Sequence, residues 1–452
     1  MEIVVCGAGK IGETLCRVLA QEDHNIVLID KDRIRLEKLI NNIDMTGVCG
    51  DAVLYDTQME ANVPDCDIFI AVTPSDDSNL IASVTAKALG AKRIITRVRN
   101  PQYMHQTKFF ADSFKIDYII NPELETARDL ARMIQMPEAI SVEHFNHGRF
   151  NIVNLVVPEK SVIDGMNLID FRRNFPNVLI CIIKRDDENI IPIGSDKIHA
   201  EDNIFVTGQI NDIRHLIQKL YGTRRLIHSV MIVGAGRITN HLIPRLERFG
   251  LDITVIDVKK DICRQMATDH PNIVMIHGDG TDQRLLAEER AEAYDALICL
   301  TGIDEENLVL AIYGSQMKIG KTIAKVNRIN LLKVLDLEDR LSVVTPHQII
   351  ANKIIRYVRS VADLDHANIE GLYRLADGKV EMIQFLVSDK CQAAGHTLLE
   401  LPTKPNVLIS VIVRNDQLIL PTGQDKILTG DRVLAITTQS DVSHLDDLFK
   451  FD

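Results

Sequence analysis

The second half of this chain repeats the first, and this duplication limits the possible folds more than any other feature. The matching pairs are Gly7 and Gly234, Asp30 and Asp257, Asp51 and Asp279, Asn79 and Asn307, and the segments 194–197 and 423–426. Their separation drifts only from 227 to 229 residues, which indicates one or two loop insertions. The sequence therefore predicts a tandem duplication of a unit of about 225 residues, far longer than a solenoid repeat.

Length and composition set the broad class. A chain of 452 residues exceeds what one hydrophobic core usually supports, so two to four domains are expected. With 46% hydrophobic and 25% charged residues, the composition favours a folded protein over a disordered one. The net charge of -12 disfavours binding to nucleic acid, which needs clustered Lys and Arg.

Cysteine usage and apolar runs indicate a compartment. The eight cysteines form no C-x-x-C pair, and several lie in apolar runs, as buried reduced thiols of a cytosolic protein do. The chain enters the apolar run 3–5 at once, so no signal peptide is expected. No apolar run approaches the ~20 residues of a spanning helix. We therefore expect a cytoplasmic protein that acts at a membrane only through a partner.

Each repeat contains two patterns. Short β-branched runs at 3–5, 26–29, 68–72, 94–98 and 118–120 alternate with helical stretches, which predicts a doubly wound α/β domain with a parallel sheet. From about residue 140, apolar runs separated by turn residues predict a small, β-rich α+β domain with an antiparallel sheet. The predicted boundaries are 1–123 and 228–348 for the Rossmann-like domains, and 140–224 and 369–452 for the small domains.

Apolar residues at helical spacing follow each Rossmann-like segment. They are Ala127, Leu130, Ala131 and Ile134 in the first half, and Ile350, Ile354, Ile355 and Val358 in the second. This spacing predicts a connecting helix that packs on its own parent domain, with an intersubunit contact as the alternative.

A glycine-rich turn follows the first predicted strand. It consists of Gly7, Ala8, Gly9, Lys10, Ile11 and Gly12, and Asp30 ends the next strand 18 residues later. In this context Gly7 allows the tight turn, Gly9 lets a pyrophosphate approach the backbone, and Gly12 allows close helix packing. Asp30 is placed to accept from ribose hydroxyls, and its carboxylate favours NAD, ATP or ADP over NADP. The alternative is a turn without a ligand.

The second copy keeps the turn with one change. It consists of Gly234, Ala235, Gly236, Arg237 and Ile238, with Asp257 as its acid. Thr239 stands where Gly12 stands in the first copy, so the helix and strand must separate or the backbone must shift. We expect either a mononucleotide site or a purely structural turn.

Further candidates lie at the same predicted edge of the sheets. Lys10 and Arg237 are placed to meet phosphate oxygens, or else are solvated cations. Arg97 and Lys325 end the fifth strands, where ligands of open α/β sheets bind, although a salt bridge is the alternative. An acid follows the third strand in each half, at a place where adenine commonly binds. These acids are Asp51 and Asp279, and Ala52, the neighbour of Asp51, is a further candidate contact.

Signs of catalysis are weak. Lys10 is followed by Ile11, so the turn is not a hydrolytic phosphate loop, and neither G-x-S-x-G nor H-E-x-x-H occurs. His144 and His147 lack companions at metal-ligand spacing, so no metal site is expected. The β-rich segments show no proton-transferring constellation shared by both copies. We expect a protein that is not an enzyme; the alternatives are an NAD-dependent oxidoreductase with an unrecognised substrate site and a self-associating scaffold.

Two further repeated stretches complete a recognisable pattern. They are a Thr-x-x-(Asp/Glu)-(Asp/Glu)-x-Asn stretch from Thr73 to Asn79 and from 301 to 307, and an Arg…(Ile/Leu)-Pro-x-Gly-x-Asp loop at 185–196 and 414–425. With the glycine turns and acids, these closely resemble RCK domains, which regulate the conductance of K⁺. The stretch adds Thr73 to the candidate nucleotide contacts.

The resemblance implies a regulatory role. It implies a homo-oligomeric ring of RCK domains, dimeric or tetrameric, beneath a membrane-embedded potassium-translocating subunit, with ATP, ADP or NAD(H) in the Rossmann clefts. A γ-phosphate near Lys10, Arg97 or a neighbouring subunit's Glu123 would then distinguish two ring conformations. Glu123 is matched by His347 in the second half, so the resemblance implies no acidic cation contact there.

Overall fold

The fold is described from a computed structural model in which two compact units are distinguished. The described residues are 1–22, 24–104, 106–145, 150–186, 188–222, 227–328, 331–332, 341–362, 369–375, 380–415, 417–439, 442 and 444–451. One unit comprises Met1–Ala127 with Thr345–Val358, and the other comprises Arg128–Val344 with Arg359–Asp452. His147 and the side chain of His144 lie outside the described residues.

The first Rossmann domain is a six-stranded parallel sheet in the order β3-β2-β1-β4-β5-β6. Its strands are β1 Glu2–Cys6, β2 Asn25–Asp30, β3 Thr46–Cys49, β4 Ile68–Ala71, β5 Arg93–Arg97 and β6 Tyr118–Ile120, and its helices are α1 Lys10–Leu19, α2 Arg33–Ile40, α3 Tyr55–Glu60, α4 Asp76–Leu89, α5 Pro101–Met104 and α6 Thr107–Phe114. β1 is buried on both faces because helices cover the sheet on both sides. The strand order reverses between β1 and β4, which opens a crevice at their carboxyl ends.

The first small domain is a five-stranded antiparallel sheet in the order β10-β9-β11-β8-β7. The segment consists of α7 Pro122–Gln135, β7 Ser141–Phe145, β8 Phe150–Val156, α8 Leu168–Asn174, β9 Val178–Arg185, β10 Glu188–Ile190, β11 Asn203–Gly208 and α9 Ile210–Tyr221. α8 and α9 pack their apolar faces on one side of this sheet, where Phe171, Ile213 and Leu216 are buried.

The second half repeats both sheets. Its elements are β12 Ser229–Val233, α10 Arg237–Glu247, β13 Asp252–Asp257, α11 Lys260–Asp269, β14 Val274–His277, α12 Gln283–Glu288, β15 Ala296–Cys299, α13 Asp304–Gln316, β16 Lys321–Lys325, β17 Ser342–Val344, α14 Pro346–Ala362, β18 Ile369–Leu375, β19 Val380–Leu386, β20 Val407–Arg414, β21 Gln417–Ile419 and β22 Arg432–Thr437. The sheet orders are β14-β13-β12-β15-β16-β17 and β18-β19-β22-β20-β21. The predicted fold class, a tandem Rossmann-like domain with a small α+β domain, is confirmed.

The two small domains share a hydrophobic core within the second unit. Ile182 and Phe205 of the first small domain belong to the same buried cluster as Met382 and Leu434 of the second. Arg172 adds a polar contact, because its Nη2 donates to the backbone oxygen of Leu420 at 2.9 Å. The antiparallel sheets therefore bury one face against each other and the other face under their own connections.

The prediction for the second connecting helix is wrong. α14, through Val358, belongs to the same compact unit as the first Rossmann domain, not to that of its parent. Tyr357 stacks on Tyr118 with ring centroids 5.2 Å apart, and Lys353 forms an ion pair with Glu125. Helical periodicity identifies an apolar face, but it does not identify which domain covers that face.

A buried lysine anchors the segment that follows α7. Lys321, at the start of β16, donates from Nζ to the backbone oxygen of Ala139 at 2.6 Å. Burial lowers the pKa of Lys321 to about 8, against an opposing effect of the Glu138 charge. The folded state therefore prefers the neutral amine at a pH where the unfolded chain still carries the proton.

This depressed pKa predicts a pH-dependent stability. Because the folded-state pKa is below the ordinary value of 10.5, the unfolded state binds more protons between pH 8 and 10.5, and stability rises with pH across that window. Relative to Lys321→Met, the wild type should gain up to about 3 kcal/mol from pH 7 to pH 10.5. Urea unfolding at several pH values measures the difference, and parallel curves for the two proteins would contradict it.

Among the residues that the structure describes, no helix is both long and apolar enough to span a bilayer. Within the same residues, no group of three or more His, Cys, Asp or Glu side chains is arranged to hold a metal ion. All eight cysteines are free thiols, and Cys49 alone among them is exposed.

Candidate nucleotide-binding sites

The first glycine turn is fixed by its backbone. Gly7 has a φ of 110°, which L side chains rarely adopt, and its amide donates to the oxygen of Ile29 at 2.8 Å. A Cβ at Gly7 would lie 3.0 Å from the amide nitrogen of Thr73. The turn therefore joins the ends of β1, β2 and β4 at the crevice.

The start of α1 faces open space. Gly9 is the N-cap of α1, and no side chain caps the helix. A Cβ at Gly9 would meet nothing within 4 Å, in contrast to the crowded Gly7. The first amides of a helix have no intrahelical partner and carry the positive end of its dipole. This geometry leaves room for a phosphate over the predicted turn.

Gly12 brings α1 against the turn. A Cβ at this position would lie 1.9 Å from the oxygen of Gly7, so no side chain fits without a backbone shift. Ala8 and Ile11 are buried beside it, whereas Lys10 is exposed. The packing role that the sequence predicted for Gly12 agrees with this contact.

Asp30 has a structural role that the sequence did not reveal. Its Oδ2 accepts from the amide of Ala8 at 2.6 Å, and its Oδ1 accepts from the amide of Asp32 at 2.8 Å. The carboxylate thus holds the glycine turn in place. Each carboxylate oxygen can accept more than one hydrogen bond, so capacity for a ribose hydroxyl remains.

Asp51 is tied to the loop after β2. Lys31 Nζ lies 2.9 Å from its Oδ2, and the amide of Val53 donates to its Oδ1 at 3.2 Å. Burial alone would raise the pKa of this carboxyl, but these hydrogen bonds and the Lys31 charge hold it below its usual range. Asp51 is therefore ionised at neutral pH, beside the buried Ala52.

A fully buried asparagine organises the other side of the crevice. Asn79 Oδ1 accepts from the amide and the hydroxyl of Thr73, at 2.9 and 2.7 Å. Its Nδ2 donates to the oxygens of Thr73 and Arg97, at 3.1 and 3.0 Å. Asn79 thereby locks together the ends of β4 and β5, where two candidate site residues lie.

Glu123 pairs within its own domain. Arg99 Nε donates to Glu123 Oε1 at 2.6 Å. The backbone amides of Arg99 and of Asn100 each donate to Asp76 Oδ2. Arg99 was not among the residues that the sequence singled out. An arginine next to a helix-terminal acid has no sequence signature of its own, and only the fold brings the two together.

The second site reproduces the first turn. Gly234 has a φ of 106° and donates to Ile256 at 2.8 Å, and Ala235 donates to Asp257 Oδ2 at 2.8 Å. Gly236 caps α10 and has no atom within 4 Å of its Cβ position. Asn307 repeats the role of Asn79, with hydrogen bonds to Thr301 and to the oxygen of Lys325. The exposed Arg237 and the half-buried Ile238 begin α10.

Thr239 is accommodated while the turn keeps its hydrogen bonds. Its side chain is buried, and its hydroxyl donates to the oxygen of Gly234. This oxygen is the counterpart of the Gly7 oxygen, which a Cβ at Gly12 would strike in the first half. The turn keeps the φ angle and the hydrogen bonds of the first copy. The substitution thus replaces close packing by a hydrogen bond.

The substitution Thr239→Val tests how much the hydrogen bond from Thr239 to Gly234 contributes to stability. Valine keeps the shape but leaves the partly buried oxygen of Gly234 without this donor, which should lower the free energy of unfolding by about 1 kcal/mol. Thermal unfolding with and without nucleotide measures the change. Thr14→Val is the control, because the Thr14 hydroxyl donates to Lys10 in an exposed part of α1; equal losses in both variants would contradict the prediction.

The two sites differ at the end predicted for adenine. Asp279 is exposed, and Thr281 donates to it from its amide and hydroxyl, which lowers the pKa of Asp279. Val258 occupies the position of Lys31, so the ion pair of the first site has no counterpart there. Lys325 donates to the oxygen of Thr301, and burial lowers its pKa against an opposing effect of Asp304.

Similar proteins match the whole chain. The TrkA-N domain model matches residues 3–122 and 230–346, and the TrkA-C domain model matches 152–221 and 382–450. A Trk system potassium uptake protein TrkA homolog of Archaeoglobus fulgidus is 28% identical over 453 residues, covering 100% of both chains. The Trk system potassium uptake protein TrkA of Haemophilus influenzae is 27% identical over 461 residues, covering 100% of this chain and 99% of its own.

Solved structures share the fold. The GsuK channel bound to NAD has a TM-score of 0.61 at 17% identity, covering 97% of this chain and 77% of its own. The GsuK RCK domain has a TM-score of 0.60 at 17% identity, and the match covers 97% of this chain and 92% of that one. GsuK bound to ADP has a TM-score of 0.51 at 14% identity, and the match covers 80% of this chain and 70% of that one. With TrkA-N and TrkA-C domains matched in both halves, the chain belongs to the TrkA family, the RCK-domain regulatory subunits of the Trk potassium-uptake system.

Proposed function

We propose that this chain is a non-enzymatic regulatory subunit that binds NAD(H), ATP or ADP and thereby gates a membrane potassium transporter. The observation that carries the proposal is the repeated turn in which an uncapped helix start faces open space at Gly9 and at Gly236. An acid held at hydrogen-bond distance of each turn, Asp30 or Asp257, is placed for the ribose. The names of the relatives and the ligands of the GsuK structures support the same reading.

The proposed nucleotide contacts rest on this geometry. Phosphates lie over the turns and near Lys10 and Arg237, and adenine lies beside Asp51 and Ala52 or beside Asp279. Thr73 and Arg97 border the first crevice, and an additional γ-phosphate would make its contacts there. A nucleotide shifts the gate only by its preference for one conformation of the assembly over the other, so ATP and ADP must differ in such contacts.

The partner is a potassium-translocating membrane subunit of the TrkH or TrkG type. The chain acts as a homo-oligomer, a dimer or tetramer that forms a ring of RCK domains, and lies in the cytoplasm on the inner face of the membrane. The relatives' names, which assign them to potassium uptake, support this arrangement.

Titration and flux measurements test the proposal. Isothermal titration with ATP, ADP and NADH should give saturable binding without turnover, and potassium flux through the reconstituted transporter should depend on both the protein and the nucleotide. No binding at millimolar concentration would reject the proposal in favour of a scaffold. A change in nicotinamide absorbance on addition of hydroxy or amino acids would instead support the NAD-dependent oxidoreductase.

A further inference from the structure

Lys321 joins two domains that belong to different halves of the chain. It begins β16 of the second Rossmann domain, and its buried side chain donates from Nζ to the backbone oxygen of Ala139, 182 residues earlier. Ala139 belongs to the hydrophobic core of the first small domain. Both residues lie in the second compact unit. One hydrogen bond therefore connects the second Rossmann domain directly to the small domain of the first half.

The segment that receives this hydrogen bond leads straight into the small-domain sheet. The amide of Ile140 donates to the oxygen of Asn154 in β8 at 2.9 Å, and Met136 is buried in the same core as Ala139. β7 begins at Ser141 and is the edge strand of the sheet. A displacement of Ala139 would therefore displace this edge of the small domain.

The other end of β16 lies at the second nucleotide site. Asn307 Nδ2 donates to the oxygen of Lys325 at 2.9 Å, and Lys325 Nζ donates to the oxygen of Thr301. β16 pairs with β15 on one side and with β17 on the other. A strand of this length, held on both sides, spans about 13 Å and moves as one body. β16 therefore connects the crevice at one end to the Ala139 contact at the other.

Packing alone does not require a lysine at position 321. Burial of an amine costs free energy, and an apolar side chain of similar length would fill the same space without that cost. An apolar side chain cannot, however, make a directional hydrogen bond to a chosen backbone oxygen. The lysine therefore supplies the link to Ala139 and not merely volume.

The first half uses the equivalent position in the same way. Arg93 begins β5, its Nη1 lies 3.3 Å from Asp117 Oδ1, and the same guanidinium hydrogen-bonds the side chain of Tyr357. Tyr357 belongs to α14, the connecting helix of the second half, and lies in the first compact unit. Each fifth strand thus begins with a cationic side chain that holds the connecting segment of the opposite half.

We propose that Lys321 is a positioning residue that couples nucleotide binding at the second Rossmann domain to the first small domain. A nucleotide that shifts the carboxyl ends of β15 and β16 shifts the whole of β16, and the hydrogen bond to Ala139 transmits that shift. Packed strands and hydrogen bonds of this kind carry coupling between distant sites. The proposal rests on the proposed function, because it names how the second site acts on the rest of the chain.

Hydrogen exchange of the full chain, with and without saturating ATP, tests the coupling. In the wild type, ATP should slow amide exchange at residues 138–142 by about fivefold or more, a usual size for coupling between sites. Slowed exchange that stays within the second Rossmann domain, residues 229–325, would overturn the proposal without the need for any variant. Lys321→Met should still bind ATP saturably but should lose the slowing at 138–142.

Tyr221→Phe is the matched control for a loosened small domain. The Tyr221 hydroxyl donates to the backbone oxygen of Val156, so this variant also deprives a backbone oxygen of its donor, but within the small domain alone. It should keep the ATP-dependent slowing at 138–142. If Lys321→Met kept the slowing, or if Tyr221→Phe lost it to the same extent, Lys321 would not be the link.

Gly236→Ala assigns the effect to the second site. The added methyl group lies over the turn of that site alone, so about thirtyfold more ATP should be needed to slow exchange at 138–142. Isothermal titration of the same samples separates the two proposals. The absence of ATP binding at either site would reject the proposed function, whereas ATP binding without slowed exchange at 138–142 would reject the coupling alone.

Discussion

Gly9→Ala is expected to weaken the binding of ATP, ADP and NADH at the first site by about 2 kcal/mol, roughly thirtyfold, without destabilising the domain. Gly9 has a φ of -74° and a ψ of -176°, which alanine adopts without strain, and its Cβ would meet no protein atom. The added methyl group would instead occupy the space in which the phosphates approach the helix start. Isothermal titration measures the affinity, and thermal unfolding without ligand measures the stability.

Gly236→Ala is the matched variant in the second half. Gly236 also caps its helix in extended geometry with open space at its Cβ position, so the same loss is expected at the second site alone. The pair of variants therefore assigns each phase of a two-site titration to one half. If both variants bind all three nucleotides like the wild type, the phosphates do not lie over these turns.

The turns and their acids could be predicted from the sequence because local backbone geometry dictates them. A turn with positive φ and a helix packed onto it demand glycine at Gly7 and Gly12, and no partner from elsewhere in the chain is needed to see this. Thr239 shows the limit of that reasoning. The sequence predicts that the helix or the backbone must shift to admit this residue, but it does not predict the hydrogen bond to Gly234, which depends on the orientation of one hydroxyl.

Contacts between distant segments could not be predicted in this way. The stack of Tyr357 on Tyr118 and the pairing of Arg99 with Glu123 depend on how elements are brought together after folding. An amphipathic pattern contains the same information whether a helix packs on its parent or on another domain. The repeat did mark Asn79 as a matched position, but its four hydrogen bonds follow only from the structure.

Asn79→Leu is expected to lower the stability of the first Rossmann domain by about 3 kcal/mol, since each buried backbone group left unpaired costs roughly 1–3 kcal/mol. Leucine suits the helix and has a similar volume, so the loss reports the hydrogen bonds to Thr73 and Arg97, not a cavity. The midpoint of thermal unfolding should fall by roughly 10 °C. Nucleotide affinity at the first site should fall as well, because the ends of β4 and β5 lose their common anchor.

Asn307→Leu separates these effects by half. Asn307 makes the equivalent hydrogen bonds to Thr301 and Lys325, so a similar loss of stability is expected, with nucleotide binding at the first site retained. Scanning calorimetry combined with titration of both variants distinguishes the two halves. An Asn79→Leu variant with an unchanged midpoint and an unchanged nucleotide affinity would contradict the prediction. The strands alone would then hold the crevice in shape, and the hydrogen bonds of Asn79 would not be needed at the edge where the ligand is proposed to bind.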